Sequence, residues 1–391
     1  MLVSLLIFRN QLPRIRHFST ILGIPFLIIF TINTGVALYK ATPESIFSYA
    51  KYAAAEPIHS DRSTSPVIWI IFDELDERVG FRERPKDIKM PALDRFRGET
   101  TVATQAIPPG DVTLYSIPTL LLGKRINAVK FERADDLKLI PENGGNQLSW
   151  RENPGILEHL RKKNIDIAVL AQDAHPYCRI FGKLVSYCWE ESEPWVSGTW
   201  TVANRVTVVI RTVLEHVPFV SRYLGKQIST PFTLSVKYKK FMSGVKKALV
   251  DPKLEFIFIH WNLPHRPFGY DRHKDTFLPN ERVDEKPVLG YLDNLELTDQ
   301  AFASMRATLE RVQRWDKATV IVSADHRWRK AEQHDGIKST LVPFMVKLPG
   351  QQKQSLISKP IFTARTRFLI EKIFGKPLKS KLDVFEVMRH N

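Results

Sequence analysis

Five short apolar runs constrain this chain more than any other feature: Val67 to Phe72, Ile165 to Ala171, Phe256 to Trp261, Thr319 to Ser323 and Leu341 to Val346. Each is rich in β-branched or aromatic residues and is four to eight or so positions long, the pattern of a strand covered on both faces in a parallel sheet. Helical stretches separate them, notably Ile156 to Lys163 and Leu292 to Arg314. In the second of these Leu292, Leu295, Phe302, Met305 and Leu309 recur near helical spacing. Such alternation predicts an α/β fold, a three-layer α/β/α domain with a mainly parallel central sheet. With 391 residues, 43% of them hydrophobic and 25% charged, the chain has the material for one large domain plus attachments. The same figures exclude a disordered chain and a polytopic membrane protein.

From Phe18 to Tyr39 no side chain carries a charge, and at 1.5 Å per residue this run covers a hydrocarbon core of roughly 30 Å. It reads as a transmembrane helix. A cleaved signal peptide is the competing reading, but the run exceeds an ordinary h-region and the small residues Ala53 to Ala55 lie well beyond its end. Arg9, Arg14, Arg16 and His17 precede the span and only Lys40 follows at once, so the positive-inside rule leaves the N-terminus in the cytoplasm. The predicted organisation is a cytoplasmic segment over 1–17, a span over 18–39, a linker over 40–65 and an extracytoplasmic domain over 66–391.

The chain carries 57 Lys and Arg against 42 Asp and Glu, a formal charge of +15, and all but four of those basic residues lie beyond residue 40. An excess on that side of a membrane points to an anionic lipid surface and away from nucleic acid. Lysines 237, 239, 240, 246 and 247 interleave with Leu234, Val236, Tyr238, Phe241, Met242 and Val245, which describes either a helix lying on headgroups or an ordinary solvated helix face. Trp200 to Phe219 is apolar but interrupted by Arg205, Arg211 and Glu215, so it reads as a core or interfacial helix and not a second span. Cys178 and Cys188 are too few for a four-thiolate zinc site. They are either a small disulfide loop in an oxidising compartment or two free thiols.

Polar residues collect where the apolar runs stop: Asp73 and Glu74 after the first, Asp173 and His175 after the second, His260 and His265 at the third, Asp325 and His326 after the fourth. In open α/β sheets ligands bind outside the carboxyl ends of the strands. A single Asp-His pair is ordinarily a cap or a surface pair, but its recurrence at successive strand ends points to a metal centre. Oxygen and imidazole donors without nearby thiols suit one divalent ion such as zinc, manganese, magnesium or calcium.

These residues resemble the sulfatase branch of the alkaline phosphatase superfamily over most of Val67 to Pro349. The resemblance rests on the strand ending in Asp73-Glu74, and on the segment Thr113 to Gly123, which matches a nucleophile followed by a short helix. It rests also on the helix-turn-strand unit from Gly155 to Ala171, on the strand leading to Pro264-His265-Arg266-Pro267, and on Asp325-His326 with His334 and Lys338 downstream. It implies a metal held by Asp73, Glu74, Asp325 and His326. Sulfatases of this family carry Cys or Ser in a Cys/Ser-x-Pro-x-Arg motif and convert it to formylglycine, whereas here Thr113 stands at that position and Ile117 at the arginine place. Threonine there resembles the membrane-anchored phosphoethanolamine and lipoteichoic-acid-type transferases. Arg327 is a further departure, standing where the family has glycine.

Threonine hydroxyl is a weak nucleophile at neutral pH, so a metal beside Thr113 would favour its alkoxide and polarise the group under attack. His265, His334 and Lys338 are the candidates to donate to phosphoryl oxygens or to protonate the leaving group. The reading that follows is a metal-dependent transferase of phosphoryl esters, phosphoethanolamine- or glycerophosphate-like, acting on a lipid or surface glycan through a phosphothreonine. A phosphate- or sulfate-ester hydrolase and a catalytically silent, membrane-anchored binding domain are the alternatives.

Overall fold

The structure, a computed structural model, describes residues 65–133, 136–172, 175–191, 234–278, 287–375, 378 and 380–389. The expected cytoplasmic segment, the span over 18–39, nearly all of the linker, the Trp200 to Phe219 stretch and Asp173 lie outside the described residues. No helix among the described residues is long and apolar enough to cross a membrane.

Eight strands form the central sheet: β1 (Val67–Phe72), β2 (Thr101–Ala103), β3 (Ile167–Gln172), β4 (Tyr187–Glu191), β5 (Phe256–Trp261), β6 (Thr319–Ser323), β7 (Phe344–Lys347) and β8 (Ser355–Ile357). Their spatial order is β8-β2-β7-β6-β1-β5-β3-β4. The first strand is central, parallel to β6 on one side and β5 on the other. Every residue of β1 is at most 1% exposed, and each fully buried large apolar side chain stabilises the fold by about 1.5–3 kcal/mol. Trp69 makes an edge-on contact with Phe258 of β5, ring centroids 5.3 Å apart, and donates from its indole to Ser323 Oγ of β6 at 3.3 Å. Ile71 lies level with both Ser323 and His260, so the carboxyl ends of these three strands open on one edge of the sheet.

Four of the five expected strands appear within two residues of their predicted limits. The fifth is shorter than Leu341 to Val346, beginning at Phe344, and it runs antiparallel to β6. Only the helical turn Glu332–Asp335 lies between β6 and β7. A parallel return is usually carried by a helix that crosses a face of the sheet, and this one turn is too short to do so; the chain comes back antiparallel. Lys347 on β7 is buried, and its ammonium donates to the carbonyls of Trp315, Ala318 and Leu348 at 2.9, 3.4 and 3.3 Å. Burial lowers its pKa to about 8.

The helices used below are α1 (Pro91–Glu99), α2 (Thr113–Leu122), α3 (Ile156–Lys162), α4 (Tyr177–Phe181), α5 (Leu234–Val250) and α6 (Pro287–Arg311). In α5, Leu234, Phe241, Met242, Val245 and Leu249 are buried in the core, so its apolar side faces protein and the headgroup-lying alternative is set aside. Gly155, at the N-cap of α3, has φ +66°, and a Cβ there would stand 2.2 Å from the carbonyl oxygen of Leu121. Glycine alone lets α3 start against the C-terminal turn of α2. Cys178 and Cys188 are joined in a disulfide that ties α4 to β4, which settles the alternative left open by the sequence.

Candidate active site

The floor of the site is built by the ends of β1, β5 and β6. Asp73 follows β1, His260 is the penultimate residue of β5, and Asp325 and His326 come two and three positions after β6. All four side chains are buried, at 5%, 0%, 0% and 0% exposure. Single ligand atoms of Asp73, His260 and Asp325 lie within 4.8 Å of one another. His326 Nε2 lies 3.6 Å from Asp73 Oδ1 and 3.4 Å from Asp325 Oδ2. Asp73 Oδ1, Asp325 Oδ2 and His260 Nε2 are buried without any hydrogen-bond partner. Orphaned polar atoms of this kind are costly unless something absent from the polypeptide satisfies them. Two carboxylate oxygens and imidazole nitrogens converging on one point fit a divalent cation.

Hydrogen bonds behind the floor set which ring nitrogens face it. His326 Nδ1 donates to the carbonyl of Arg327 at 2.9 Å, which leaves Nε2 as the lone pair toward the carboxylates. His260 Nδ1 is 2.8 Å from Tyr177 Oη, so its unpartnered Nε2 is the free ligand atom. Burial lowers the His260 pKa to about 4, which keeps the ring neutral. Burial, and then the neighbouring Asp325 and Glu74 charges, push the Asp73 carboxyl well above the usual range. For Asp325 burial pulls the same way but is outweighed by the His326 and His260 imidazoles and by hydrogen bonds from Thr113 and the Glu74 amide, and its pKa is lowered.

Thr113 stands over this floor. It is the first residue of α2, whose N-cap is Val112, and its hydroxyl makes no cap bond. Thr113 Oγ1 instead donates to Asp73 Oδ2 at 3.4 Å and lies 3.2 Å from His326 Nε2. His175 Nε2 is 3.3 Å from the Thr113 carbonyl, and its ring packs edge-on against Trp150 with centroids 5.0 Å apart, bracing the start of α2. Burial lowers the His175 pKa to about 3.

Helix α6 holds the loops that carry these residues. Tyr291 Oη donates to the Glu74 carbonyl at 2.8 Å and its ring stacks on Trp328 at 3.9 Å. Asn294 Nδ2 donates to the carbonyls of Pro264, His265 and Pro267 at 3.1–3.2 Å. Behind β1, Asp76 accepts from Val79 N and Ser339 Oγ, both at 2.9 Å, and from Trp328 N at 3.1 Å, latching the β1 loop to the β6–β7 connection.

Four expected site residues take other places. Glu74 has φ +64°, a left-handed backbone that costs a non-glycine residue energy and is retained at functional turns. That turn sends its carboxylate away from the three-ligand cluster, to accept from Arg329 Nε at 2.6 Å. His265 Nδ1 donates to the Arg266 carbonyl at 2.7 Å, so Nε2 is an acceptor, 3.2 Å from Arg329 Nη2. Its pKa is lowered, chiefly by burial. In this arrangement the ring offers no N–H to a substrate. His334 and Lys338 are not brought to the cluster. Arg78 Nη2 donates to Asp335 Oδ1 at 3.1 Å and to the Ile337 carbonyl at 2.8 Å, pinning that turn behind β1, and Lys338 is exposed. His334 packs near Trp328 with centroids 6.3 Å apart. His260 is among the polar residues that the sequence sets at strand ends, but it stands outside the ligand set that the resemblance implies; the structure brings it to the cluster. Arg327, at the family's glycine position, pairs with Asp111 at 3.3 Å and stays out of the floor.

Residues 65–366 match the Sulfatase family, well over half of the chain. The chain belongs to the sulfatase family. This family's members are enzymes that use a divalent metal ion, and the Asp73, His260 and Asp325 cluster is where the enzyme would hold one. Solved structures with the same fold include Ps i-CgsB in complex with k-i-k-neocarrahexaose, at 14% identity, TM-score 0.54, covering 82% of this chain and 74% of that one. The lipoteichoic acid synthase LtaP from Listeria monocytogenes is similar at 12% identity and TM-score 0.52, over 86% of this chain and 76% of that one. The phosphonate monoester hydrolase SpPMH from Silicibacter pomeroyi is similar at 13% identity and TM-score 0.52, over 80% and 73%. No curated protein matches the sequence.

Proposed function

We propose that this sulfatase-family enzyme is an extracytoplasmic transferase that moves a phosphoryl ester, phosphoethanolamine- or glycerophosphate-like, to a lipid or surface glycan through a phosphothreonine on Thr113. The observation that carries the proposal is the Thr113 hydroxyl set between Asp73 Oδ2 and His326 Nε2, over three unpartnered ligand atoms. LtaP, described as a lipoteichoic acid synthase, has the same fold. A disulfide between Cys178 and Cys188 is at home in an oxidising compartment, in keeping with a domain outside the cytoplasm.

Asp73, Asp325, His260 and His326 would hold the divalent ion, which supplies Lewis acidity at the transferred group. Thr113 Oγ1 gives up its proton toward Asp73 Oδ2, the carboxylate oxygen 3.4 Å away, while Asp73 Oδ1 and His326 Nε2 face the place the ion would take. A bond forms from Oγ1 to phosphorus as the bond from phosphorus to the leaving oxygen breaks, and that oxygen takes a proton from solvent water to leave as an alcohol. His175 holds the Thr113 carbonyl, which fixes the first turn of α2 and the direction of the hydroxyl. In the second half an acceptor hydroxyl displaces Oγ1 and the threonine regains its proton. Water in place of that acceptor would make the same site a hydrolase, the chemistry for which SpPMH is named.

The test is intact-protein and peptide mass spectrometry of the full chain after incubation with metal and vesicles of phosphatidylethanolamine or phosphatidylglycerol. The expected result is a phosphoryl-ester adduct on the Thr113 peptide, absent in Thr113→Ala at unchanged metal content, with transfer to an acceptor glycolipid. An Ala variant that keeps turnover removes the mechanism, and free headgroup with no acceptor product moves the assignment to a hydrolase. A reporter fused after Asn391 should be active only outside the cytoplasm.

A further inference from the structure

Beside the buried floor stands a cation that the mechanism above does not use. Arg329 lies four residues after Asp325, in the loop that β6 feeds, and its side chain is 43% exposed while its partner Glu74 is 8% exposed. Two edges of its guanidinium are fixed: Nε donates to Glu74 Oε1 at 2.6 Å and Nη2 donates to His265 Nε2 at 3.2 Å. Nη1 makes no hydrogen bond among the described residues. Both partners are held in turn. The amide of Glu74 donates to Asp325 Oδ1 at 3.3 Å and that of His265 to the Asp73 backbone carbonyl at 3.2 Å, so the fork is tied to the carboxylate of one floor residue and the main chain of another. The charges of Asp73 and Asp325 act on Arg329, which places it within electrostatic reach of the cluster.

We infer that Arg329 binds the anionic oxygens of the transferred group, a fixed guanidinium at the mouth of a one-metal site, with Glu74 and His265 as its positioning residues. The inference deepens the proposed function and rests on it. A phosphoryl or sulfuryl group seated at Thr113 presents non-bridging oxygens, and only one divalent ion has ligands among the described residues. A planar guanidinium is the side chain best suited to a tetrahedral oxyanion, because its remaining N–H groups diverge at fixed angles and its charge does not titrate. The sequence gives that task to His265, His334 and Lys338. In the structure His265 has its lone pair turned to Arg329, and the other two lie elsewhere. The substrate class is an oxyanion ester with at least one negatively charged non-bridging oxygen: a phosphodiester, a phosphonate monoester or a sulfate monoester.

The experiment measures binding of inorganic phosphate and of sulfate to the metal-loaded full chain in detergent, by calorimetry, with metal content and melting temperature recorded for each variant. Arg329→Gln should weaken phosphate at least about tenfold, which is about 1.4 kcal/mol, while holding one metal per chain, and Arg329→Lys should recover part of the loss. Removing the arginine also frees the Glu74 carboxylate, which would itself repel an anion. The double variant Arg329→Gln with Glu74→Gln separates the two effects. Binding that stays weak in it supports direct recognition, and binding restored to the parent level overturns it, leaving Arg329 as a mere counterion of Glu74. Phosphate affinity within twofold of the parent in Arg329→Gln, or loss of the metal from that variant, also overturns the inference. A parent protein that holds its metal but binds neither anion refutes the active-site reading itself, an outcome distinct from any difference between variants.

Discussion

Replacing Asp73 with asparagine should make the metal-free protein more stable and abolish its response to metal. Asp73 and Asp325 are buried at 5% and 0% exposure, each with one oxygen that no group on the protein satisfies. The nearest compensation for Asp73 is a 3.4 Å hydrogen bond from Thr113 and the charge of Arg329 at a distance. With no cation between them, two like charges share a dry site, and the Asp73 pKa is raised, first by burial and then by Asp325. The sign follows by linkage: a carboxyl that holds its proton more tightly when folded favours the folded state below its ordinary pKa, about 3.9. That advantage is lost as pH rises through the raised value. Metal-free protein should therefore melt progressively lower as the solution is taken from pH 4 upward, and Asp73→Asn should flatten that slope. Substituting a neutral group for one member of an uncompensated buried charge cluster is worth about 1–4 kcal/mol, or roughly 2–4 °C per kcal/mol in a domain of this order of size. The assay is thermal unfolding across pH with chelator and then with each divalent ion. Parent protein should gain stability with metal, by about 2.7 kcal/mol at a hundredfold excess over the dissociation constant, and the variant should gain none. A variant less stable than the parent by more than about 1 kcal/mol without metal, or one that still responds fully to metal, would refute the assignment of Asp73 as a ligand strained by its own charge.

Tyr177→Phe removes the 2.8 Å contact that orients His260; competition with a chromophoric chelator should show metal affinity about 10–100-fold weaker, and unchanged affinity would mean that the strand alone fixes the ring. Asp76→Ala strips Val79 N, Ser339 Oγ and Trp328 N of their shared acceptor. Urea unfolding should report a loss of about 3 kcal/mol, and a loss below about 1 kcal/mol would show that the latch is dispensable. Thr113→Ser should keep the phosphoryl adduct that Thr113→Ala loses, since the hydroxyl and its carboxylate acceptor remain; its absence on serine would point to the methyl group as a second requirement.

The sequence by itself determined the alternating elements, and it set Asp73 and Asp325 just past strand ends and Thr113 at the start of a short helix. Those assignments succeed because each depends on a local rule. A strand buried on both faces must be apolar throughout, and the residue just past its end is delivered to the sheet edge by the strand's own backbone. Thr113 is placed by the start of its own helix. What the tertiary structure decided is which of several candidate polar residues meet. His260 joins the cluster because β5 pairs in register with β1, residue 71 level with residue 260. Glu74 leaves the cluster because a left-handed turn and Arg329, 255 positions away, take its carboxylate. His334 and Lys338 are drawn off by Arg78, which captures Asp335 and Ile337 beside them. The antiparallel direction of β7 and the choice between a disulfide and two thiols are of the same kind. Side-chain identity within a strand or a turn is read from its neighbours in sequence, whereas the partner of a buried charge is fixed by which chain segments the sheet order brings together, and no local pattern encodes that order.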